Sequence, residues 1–247
     1  VSRKNFQETY HDVLQFKEEA ITAFNLGVLD LQARARVEQM FWATCEKLLK
    51  IVRDLEYVPD ELEGLEKQLS DTYYCNFSLF QSMPDHWAVK QLFPTIPIHR
   101  LNQEPVRRGI LADLTCDSDG KIDEFIDLRD VKGFLELHPP NGGEYLIATF
   151  LVGAYQEILG DLHNLFGDTD AVHVKLEGDD YTVQHVVEGD SVTEVLSYVQ
   201  YNKEDMVARV RRAVEAALRE KRLTIAESGR FMKRYEEALE GYTYLSE

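Results

Sequence analysis

The densest group of side chains able to do acid–base or ligand chemistry lies in the middle of the chain, between Asp113 and Glu124. In it Cys116 stands directly before Asp117, and Asp119 and Gly120 follow. Carboxylates beside a thiol disfavour the thiolate, so a cysteine in such a place suits proton donation better than nucleophilic attack. The alternative is a buried cysteine that packs in a core before an acidic turn, and spacing alone favours this plainer interpretation.

The same cluster also resembles a calcium-binding loop. If Gly120 is the loop glycine, Asp117 and Asp119 fall on ligand positions. The first position then becomes Thr115, and the twelfth, which requires a bidentate Glu, becomes Ile126. This mismatch excludes an EF-hand.

Tyr155 is a second candidate, because a tyrosine after Gly153 and Ala154 can lean into a pocket and offer its hydroxyl to an anionic group. It can equally be a core aromatic, and the residues alone leave both interpretations open. The seven histidines show no HxH or HExxH spacing, and the three cysteines form no CxxC pair. The sequence therefore predicts no metal site and no disulfide framework.

Composition limits the class of protein. The chain has 247 residues and a formal net charge of −17, with 44% hydrophobic and 29% charged residues, as in soluble globular proteins. Phosphate groups would be repelled by most of this surface, so nucleic acid is not an expected partner. No apolar run approaches the roughly 18 residues of a membrane helix, and no signal peptide follows Val1. Free thiols then favour a reducing, cytoplasmic compartment.

The elements that must position these residues begin with helices over about residues 6 to 72. Apolar residues recur every three or four positions as far as Phe24, with Gly27 as a stop, and again from Leu31 to Val52. Pro59 and the acids after it predict the start of another helix, whose leucines repeat as far as Leu69. Together these stripes predict a small helical bundle.

From about residue 73 to 190 the pattern changes to short β-rich runs between turn residues, which predicts an antiparallel β-domain. The predicted strands are Asn76 to Gln81, Arg108 to Leu114, Glu144 to Val152, Ala171 to Leu176 and Tyr181 to Val187. Gly178 and Asp179 predict a hairpin turn between the last two strands. Across that hairpin, His173 and His185 would face each other as surface residues.

Residues 191 to 247 return to a helical pattern. Ser191 with Glu194, and Thr224 with Glu227, match capping boxes in which each partner satisfies an orphan backbone N–H group. An amphipathic stripe lies between them. We therefore predict an α+β fold with three regions: a helical bundle (1–72), a β-domain carrying the candidate site (73–190) and a C-terminal helical region (191–247).

Several runs, in order along the chain, resemble the biosynthetic arginine decarboxylases. They are Asn76 to Trp87, Leu92 to Pro94, Asp113 to Gly120, Val152 to Gly160, His163 to Asp168 and Gly241 to Leu245. The resemblance covers essentially the whole chain, strongest from residue 73 to 170 and at the C-terminus, and looser over the first helices. Several ordered matches of this length are more specific than one short motif.

This resemblance implies the alanine-racemase-like fold, in which a cofactor-binding TIM barrel precedes a β-domain. The three predicted regions would then be a helical insert, the β-domain and an added C-terminal helical part. The TIM barrel, with its Schiff-base lysine and phosphate-binding loops, would be absent from this chain, and the missing initiator Met agrees with a piece of a longer protein. The isolated piece is expected to be inactive.

The resemblance also implies an activity, the conversion of L-arginine to agmatine and CO₂ with pyridoxal 5′-phosphate, a step towards putrescine and spermidine. Cys116 would return a proton to the α-carbon. Asp117 would bind the guanidinium, and Asp119 would share it or shape the turn. Tyr155 would reach the cofactor phosphate region. The family likeness favours these functional interpretations over the packing ones.

Further expectations follow from the family. Its sites are built across a dimer, with the Cys-Asp segment in the partner's barrel, so a homodimer or higher homo-oligomer is implied. A magnesium requirement is implied by the family alone. Phe77 stands where ornithine-type relatives carry an acidic residue for their shorter substrate, which fits a longer substrate here. The alternative is a non-catalytic binding or regulatory module derived from the same fold.

Overall fold

The structure is a computed structural model that describes residues 1–246. Its helices are α1 (Phe6–Asn25), α2 (Leu31–Val52), α3 (Asp60–Glu63), α4 (Leu65–Gln68), α5 (Leu79–Ser82), α6 (Pro84–Val89), α7 (Ala154–Ile158), α8 (Val192–Tyr198), α9 (Lys203–Arg219) and α10 (Ile225–Leu239). Its strands are β1 (Asp71–Tyr74), β2 (Thr95–Pro97), β3 (Arg107–Ala112), β4 (Lys121–Ile122), β5 (Phe125–Ile126), β6 (Val131–Lys132), β7 (Leu135–Leu137), β8 (Ile147–Thr149), β9 (Ala171–Glu177) and β10 (Asp180–Val187). A 3₁₀ turn spans His163–Leu165.

The described residues divide into two compact units. The first comprises Val1–Asp71, Pro105–Gly109 and Glu136–Pro139, and the second comprises the other described residues. Among residues 1–246, no helix is both long enough and apolar enough to cross a membrane.

The helices of the first unit, α1 to α4, form a helical bundle. Helices α1 and α2 pack together around buried side chains: Tyr10, Phe41, Cys45, Leu48, Val52, Leu62 and Leu65. The predicted stripes of α1 and α2 are confirmed, and Gly27 ends the first with a φ of +73°, which a glycine adopts without steric strain. The helix expected after Pro59 is instead two short helices, α3 and α4, with Gly64 between them, and Leu62 and Leu65 of the predicted stripe are both buried.

The strands form one four-stranded sheet and three two-stranded sheets in the described residues. The larger sheet has the order β1-β3-β4, with β7 also paired to β3. The smaller ones pair β2 with β8, β5 with β6, and β9 with β10, all antiparallel. The predicted strand at 108–114 is confirmed as β3, whereas the one at 144–152 is reduced to β8.

The predicted strand Asn76 to Gln81 is wrong. Its second half forms helix α5, and the Ser78 hydroxyl caps this helix by accepting a hydrogen bond from the Gln81 N–H at 3.3 Å. Helix α6 follows at once, with Pro84 in its first turn, where a missing N–H is harmless. A short apolar run fits a strand or a buried helix equally well, and here the serine cap decides between them.

The predicted hairpin at 171–187 is confirmed. Strands β9 and β10 pair in antiparallel register, and Gly178 makes the turn with a φ of +67°. His173 lies opposite His185, with their ring centroids 5.6 Å apart. Both imidazoles are exposed, as expected of surface histidines.

Both predicted capping boxes are confirmed, at the starts of α8 and α10. The last described residues are bonded to the β-rich part of the second unit. The Tyr244 hydroxyl donates to the Gly167 carbonyl at 2.7 Å, and Asn76 exchanges two hydrogen bonds with the backbone of Leu245. The C-terminal end therefore packs beside the start of α5.

Candidate active site

The Cys-Asp segment is the loop that joins strands β3 and β4. Leu111 pairs with Ile122 and Ala112 with Lys121, so the loop leaves and re-enters the sheet at adjacent positions. Its base is closed by the Asp113 N–H, which donates to the Gly120 carbonyl at 2.8 Å. A sheet-anchored loop of this kind presents its tip side chains from a rigid base.

Asp113 lies inside the base of the loop and is only 2% exposed. One carboxylate oxygen accepts from the Leu79 N–H at 2.8 Å. The other accepts from the Thr115 N–H at 2.9 Å and from the Thr115 hydroxyl at 2.7 Å. A buried carboxylate is stable only when it is hydrogen-bonded, and Asp113 has three such partners.

Cys116 is exposed at the tip of the loop, so the interpretation of a buried packing cysteine is wrong. Its Sγ lies 3.7 Å from the Asn164 Oδ1, a weak thiol hydrogen bond. Asn164 belongs to the 3₁₀ turn and has a φ of +57°, a left-handed conformation that asparagine tolerates better than most residues. The thiol is therefore accessible.

Asp117 is held at both carboxylate oxygens. Its Oδ1 accepts from the Asp119 N–H at 2.9 Å, and its Oδ2 lies 3.4 Å from His163 Nε2. The Asp119 carboxylate accepts a long hydrogen bond of 3.4 Å from Trp87 Nε1. The structure thus brings Cys116, Asp117 and Asp119 together on one exposed acidic loop.

Aromatic rings stand beside these carboxylates. The Phe80 ring packs against His163, with the centroids 4.1 Å apart and the planes tilted by 33°, and meets Trp87 edge-on at 5.2 Å. Phe80 is buried in α5, whereas Trp87 in α6 is 42% exposed. Carboxylates next to an exposed aromatic ring can attract a planar cation such as guanidinium, by hydrogen bonds and by a cation–π contact.

Tyr155 is not drawn into this cluster. It lies on α7 and is 78% exposed, while its neighbour Gln156 is the buried residue of that helix. Gln156 ties α7 to α6, because its side chain bonds both the backbone N–H and the carboxylate of Asp85, at 3.0 and 2.6 Å. The Tyr155 hydroxyl is therefore available on the surface, and the core-aromatic interpretation is wrong.

A polar network lies close to the loop. Gln81 Nε2 donates to Asp168, whose pKa is raised by burial and by the neighbouring charges of Asp190 and Glu157, against that hydrogen bond. Burial likewise raises the pKa of Tyr244 well above its ordinary value, so its hydroxyl stays protonated as a donor. These groups fix the segment around Gly167 rather than offering chemistry.

Within residues 1–246, no three His, Cys, Asp or Glu side chains are grouped so that they could hold a metal ion. Sequence reasoning also gave no role to several residues that surround the loop: Phe80, Trp87, Asp113, His163 and Asn164. Each lies inside a run that resembles the decarboxylases, and Asp113 also begins the acidic group between Asp113 and Glu124. Their contacts depend on pairings between distant segments, which spacing along the chain does not show.

Known proteins of one family are similar to this chain. Residues 1–66 match the arginine decarboxylase helical bundle domain, and residues 192–245 match the arginine decarboxylase C-terminal helical extension. The biosynthetic arginine decarboxylase of Nostoc sp. is 61% identical over all 247 residues, and that of Gloeobacter violaceus is 59% identical over the whole chain. The relative from Bacteroides thetaiotaomicron is 46% identical over 99% of the chain.

A solved structure from the same family is also similar to this chain. The crystal structure of the biosynthetic arginine decarboxylase from Campylobacter jejuni has a TM-score of 0.80 and 30% identity, and the match covers 100% of this chain and 39% of the other. The chain spans between 36% and 39% of the length of the four relatives named. It corresponds to little more than a third of the length of the curated relatives named above. The chain belongs to the arginine decarboxylase family.

Proposed function

We propose that this chain is the C-terminal part of an arginine decarboxylase, a lyase that converts L-arginine to agmatine and CO₂ on the route to putrescine and spermidine. The observation that carries the proposal is the 61% identity, over all 247 residues, to a biosynthetic arginine decarboxylase. The exposed acidic loop supports it, because the substrate is a cation and the loop presents carboxylates beside a thiol.

In this proposal pyridoxal 5′-phosphate, when bound, supplies the electron sink that makes loss of CO₂ possible. The exposed hydroxyl of Tyr155 fits a hydrogen bond to the cofactor phosphate, and the exposed thiol of Cys116 fits delivery of a proton to the substrate α-carbon. The lysine that would hold the cofactor is assigned to a barrel outside these residues. We assign no magnesium ligand in this chain.

Asp117 is proposed to bind the guanidinium group. Guanidinium and carboxylate match in a planar, two-bond geometry, and each charge-assisted hydrogen bond is worth ~1.5–3 kcal/mol. The contacts of Asp117 with the Asp119 N–H and with His163 support this role, since they orient the carboxylate before substrate arrives. Asp119 shares the cation or shapes the turn, and Phe77 fits a substrate longer than ornithine.

We further propose that the enzyme is cytoplasmic and homo-oligomeric, with each loop entering the barrel of a partner subunit. An exposed thiol and carboxylate pair at the tip of a hairpin loop supports such a placement, because a site built of these groups alone would be open to water. The reading frame upstream of Val1 should then encode a barrel with a cofactor-binding lysine. A start codon directly before Val1 would contradict the proposal and favour a stand-alone binding module.

The substrate role of Asp117 is tested by Asp117→Ala in the full-length enzyme, meaning the protein encoded by the complete reading frame that contains this chain. Loss of a charge-assisted pair should raise the KM for L-arginine about ten- to hundred-fold. Asp179→Ala removes an acid from the exposed hairpin turn and serves as the matched control, with an unchanged KM. If both variants have the same KM as the unmodified enzyme, Asp117 does not bind the substrate.

A further inference from the structure

The buried carboxylate of Asp113 is unusual because it is enclosed by the loop that carries the proposed catalytic residues. Three hydrogen bonds converge on it, from two backbone N–H groups and one hydroxyl. Two of them come from Thr115, the residue directly before Cys116. The third comes from Leu79, the first residue of α5. The side chain thus joins the Cys-Asp loop to a helix from a distant part of the sequence.

Helix α5 is in turn the anchor for the segment that faces the loop. The Phe80 carbonyl accepts from the Asp161 N–H at 3.0 Å, and the Phe80 ring packs against His163. His163 contacts the Asp117 carboxylate, and Asn164 contacts the Cys116 thiol. Both sides of the proposed site therefore depend on α5, and Asp113 connects the loop to it.

Gly120 shows how closely the loop fits around this carboxylate. A Cβ atom added at Gly120 would lie 2.2 Å from Asp113 Oδ1 and 2.6 Å from Thr115 Oγ1. Both distances are far inside van der Waals contact, and the obstacles are hydrogen-bonded rather than free to move. Glycine is needed here for close approach.

We propose that Asp113 is a positioning residue: its buried carboxylate sets the placement of Cys116 and Asp117 relative to α5 and to His163. This inference rests on the proposed function, since it assigns a support to residues proposed there to act on substrate. Asp113 itself is enclosed and touches no reacting group. Its effect on catalysis is exerted through the backbone of Thr115.

The test is Asp113→Asn in the full-length enzyme. The amide is close to the size of the carboxylate, but its NH₂ group cannot accept a hydrogen bond, so Leu79 or Thr115 loses its acceptor. Displacement of reacting groups by about 1 Å can lower the rate about a hundred-fold. We expect kcat/KM for L-arginine to fall about ten- to hundred-fold, with the KM rising as well as kcat falling. A purely structural defect would reduce the amount of active enzyme and leave the KM unchanged.

Hydrogen exchange gives a readout that does not depend on the cofactor. In Asp113→Asn the amide of Leu79 or of Thr115, whichever faces the NH₂ group, should exchange about ten-fold faster or more, because it has lost its acceptor. Thr193→Val is the matched control, since it removes a partly buried hydroxyl that donates to the Leu239 carbonyl at 2.6 Å, at the end of α10. It should change neither the KM nor the exchange of the two amides.

Gly120→Ala tests the close fit of the loop around the Asp113 carboxylate, because it places a methyl group against that carboxylate. It should lower kcat/KM, and the double variant Asp113→Ala with Gly120→Ala should be less impaired than the product of the two single effects, because one clash is removed. The inference is overturned if Asp113→Asn keeps kcat/KM and KM within about two-fold while Cys116→Ala is impaired. If Cys116→Ala and Asp117→Ala are also normal, the roles proposed for these two residues fail, whereas an unmodified full-length enzyme without activity on L-arginine would contradict the proposed function.

Discussion

The three thiols of the chain have different surroundings, and these separate their roles. Cys45 is fully buried in the core of the helical bundle, and burial raises its pKa. Cys75 is partly buried beside β1, and burial raises its pKa to about 11. Cys116 alone among them is exposed. Accessibility therefore assigns the proposed proton transfer to Cys116 and leaves the other two to packing.

For Cys116→Ala we expect a fall in kcat of about 10²- to 10⁴-fold, the usual contribution of a positioned proton donor. The KM for L-arginine should change little, because the thiol is not assigned to substrate binding. Initial rates of agmatine formation by the full-length enzyme measure both constants. Cys75→Ala is the matched control and should keep kcat, so an equal loss in both variants would contradict the assignment.

Cys75 gives a prediction about pH and stability. Its folded-state pKa is raised from 9.0 to about 11, so its contribution to stability is complete below pH 9 and is lost as the pH rises to 11. The loss is about 2–3 kcal/mol, since one pKa unit corresponds to ~1.4 kcal/mol. The melting temperature should fall more steeply over this range in the unmodified protein than in Cys75→Ala. Parallel curves would show that the thiol is not buried.

At the scale of helices and strands, sequence patterns over a few residues predicted the features that interactions between near neighbours determine. Three kinds of feature were predicted correctly, because each depends on residues a few positions apart. They are the apolar stripes of α1 and α2, the capping boxes of α8 and α10, and the hairpin turn at Gly178. Helix α5 was predicted as a strand, since its short apolar run has no helical period to detect.

In the candidate site, too, the features predicted from the sequence were local and the features missed were contacts between distant residues. The Cys-Asp loop was found from its composition and from family resemblance, whereas its support by Asp113 and its contact with His163 were not. Leu79 and Asp113 are 34 positions apart, and Asp117 and His163 are 46 apart, so only the folded chain brings them together. Sequence alone therefore predicted which residues would react, a prediction that stays open, and it missed the contacts that hold their loop.

The capping box of α8 gives a prediction at this scale. Ser191→Ala should lower the free energy of unfolding by ~1 kcal/mol, because the N–H group of Glu194 loses its acceptor. Ser197→Ala lies on the exposed face of the same helix and should change stability by no more than a few tenths of a kcal/mol. Urea unfolding of both variants compares them.

The same cap should depend on pH. The pKa of Glu194 is lowered by hydrogen bonds from the Ser191 backbone and side chain, so the stabilisation is present above pH 4.5 and is lost as the pH falls through the lowered value. The difference between Ser191→Ala and the unmodified protein should therefore shrink in acid. A difference independent of pH would contradict the reciprocal cap.

At the scale of the whole molecule, the chain has two compact units and spans 36% of the Nostoc relative it matches along its full length. Its formal charge of −17 suits the cationic substrate that we propose, because a negative potential raises the local concentration of cations. The proposed catalytic residues nevertheless lie in two places only, the Cys-Asp loop and helix α7 with Tyr155.

The most direct test of the central claim is agmatine formation from L-arginine by the full-length enzyme. We predict that this protein, supplied with pyridoxal 5′-phosphate, releases agmatine and CO₂ in equal amounts. L-Ornithine at the same concentration should be decarboxylated at least ten-fold more slowly. A correctly folded full-length protein that forms no agmatine from L-arginine, or that prefers L-ornithine, would contradict the account.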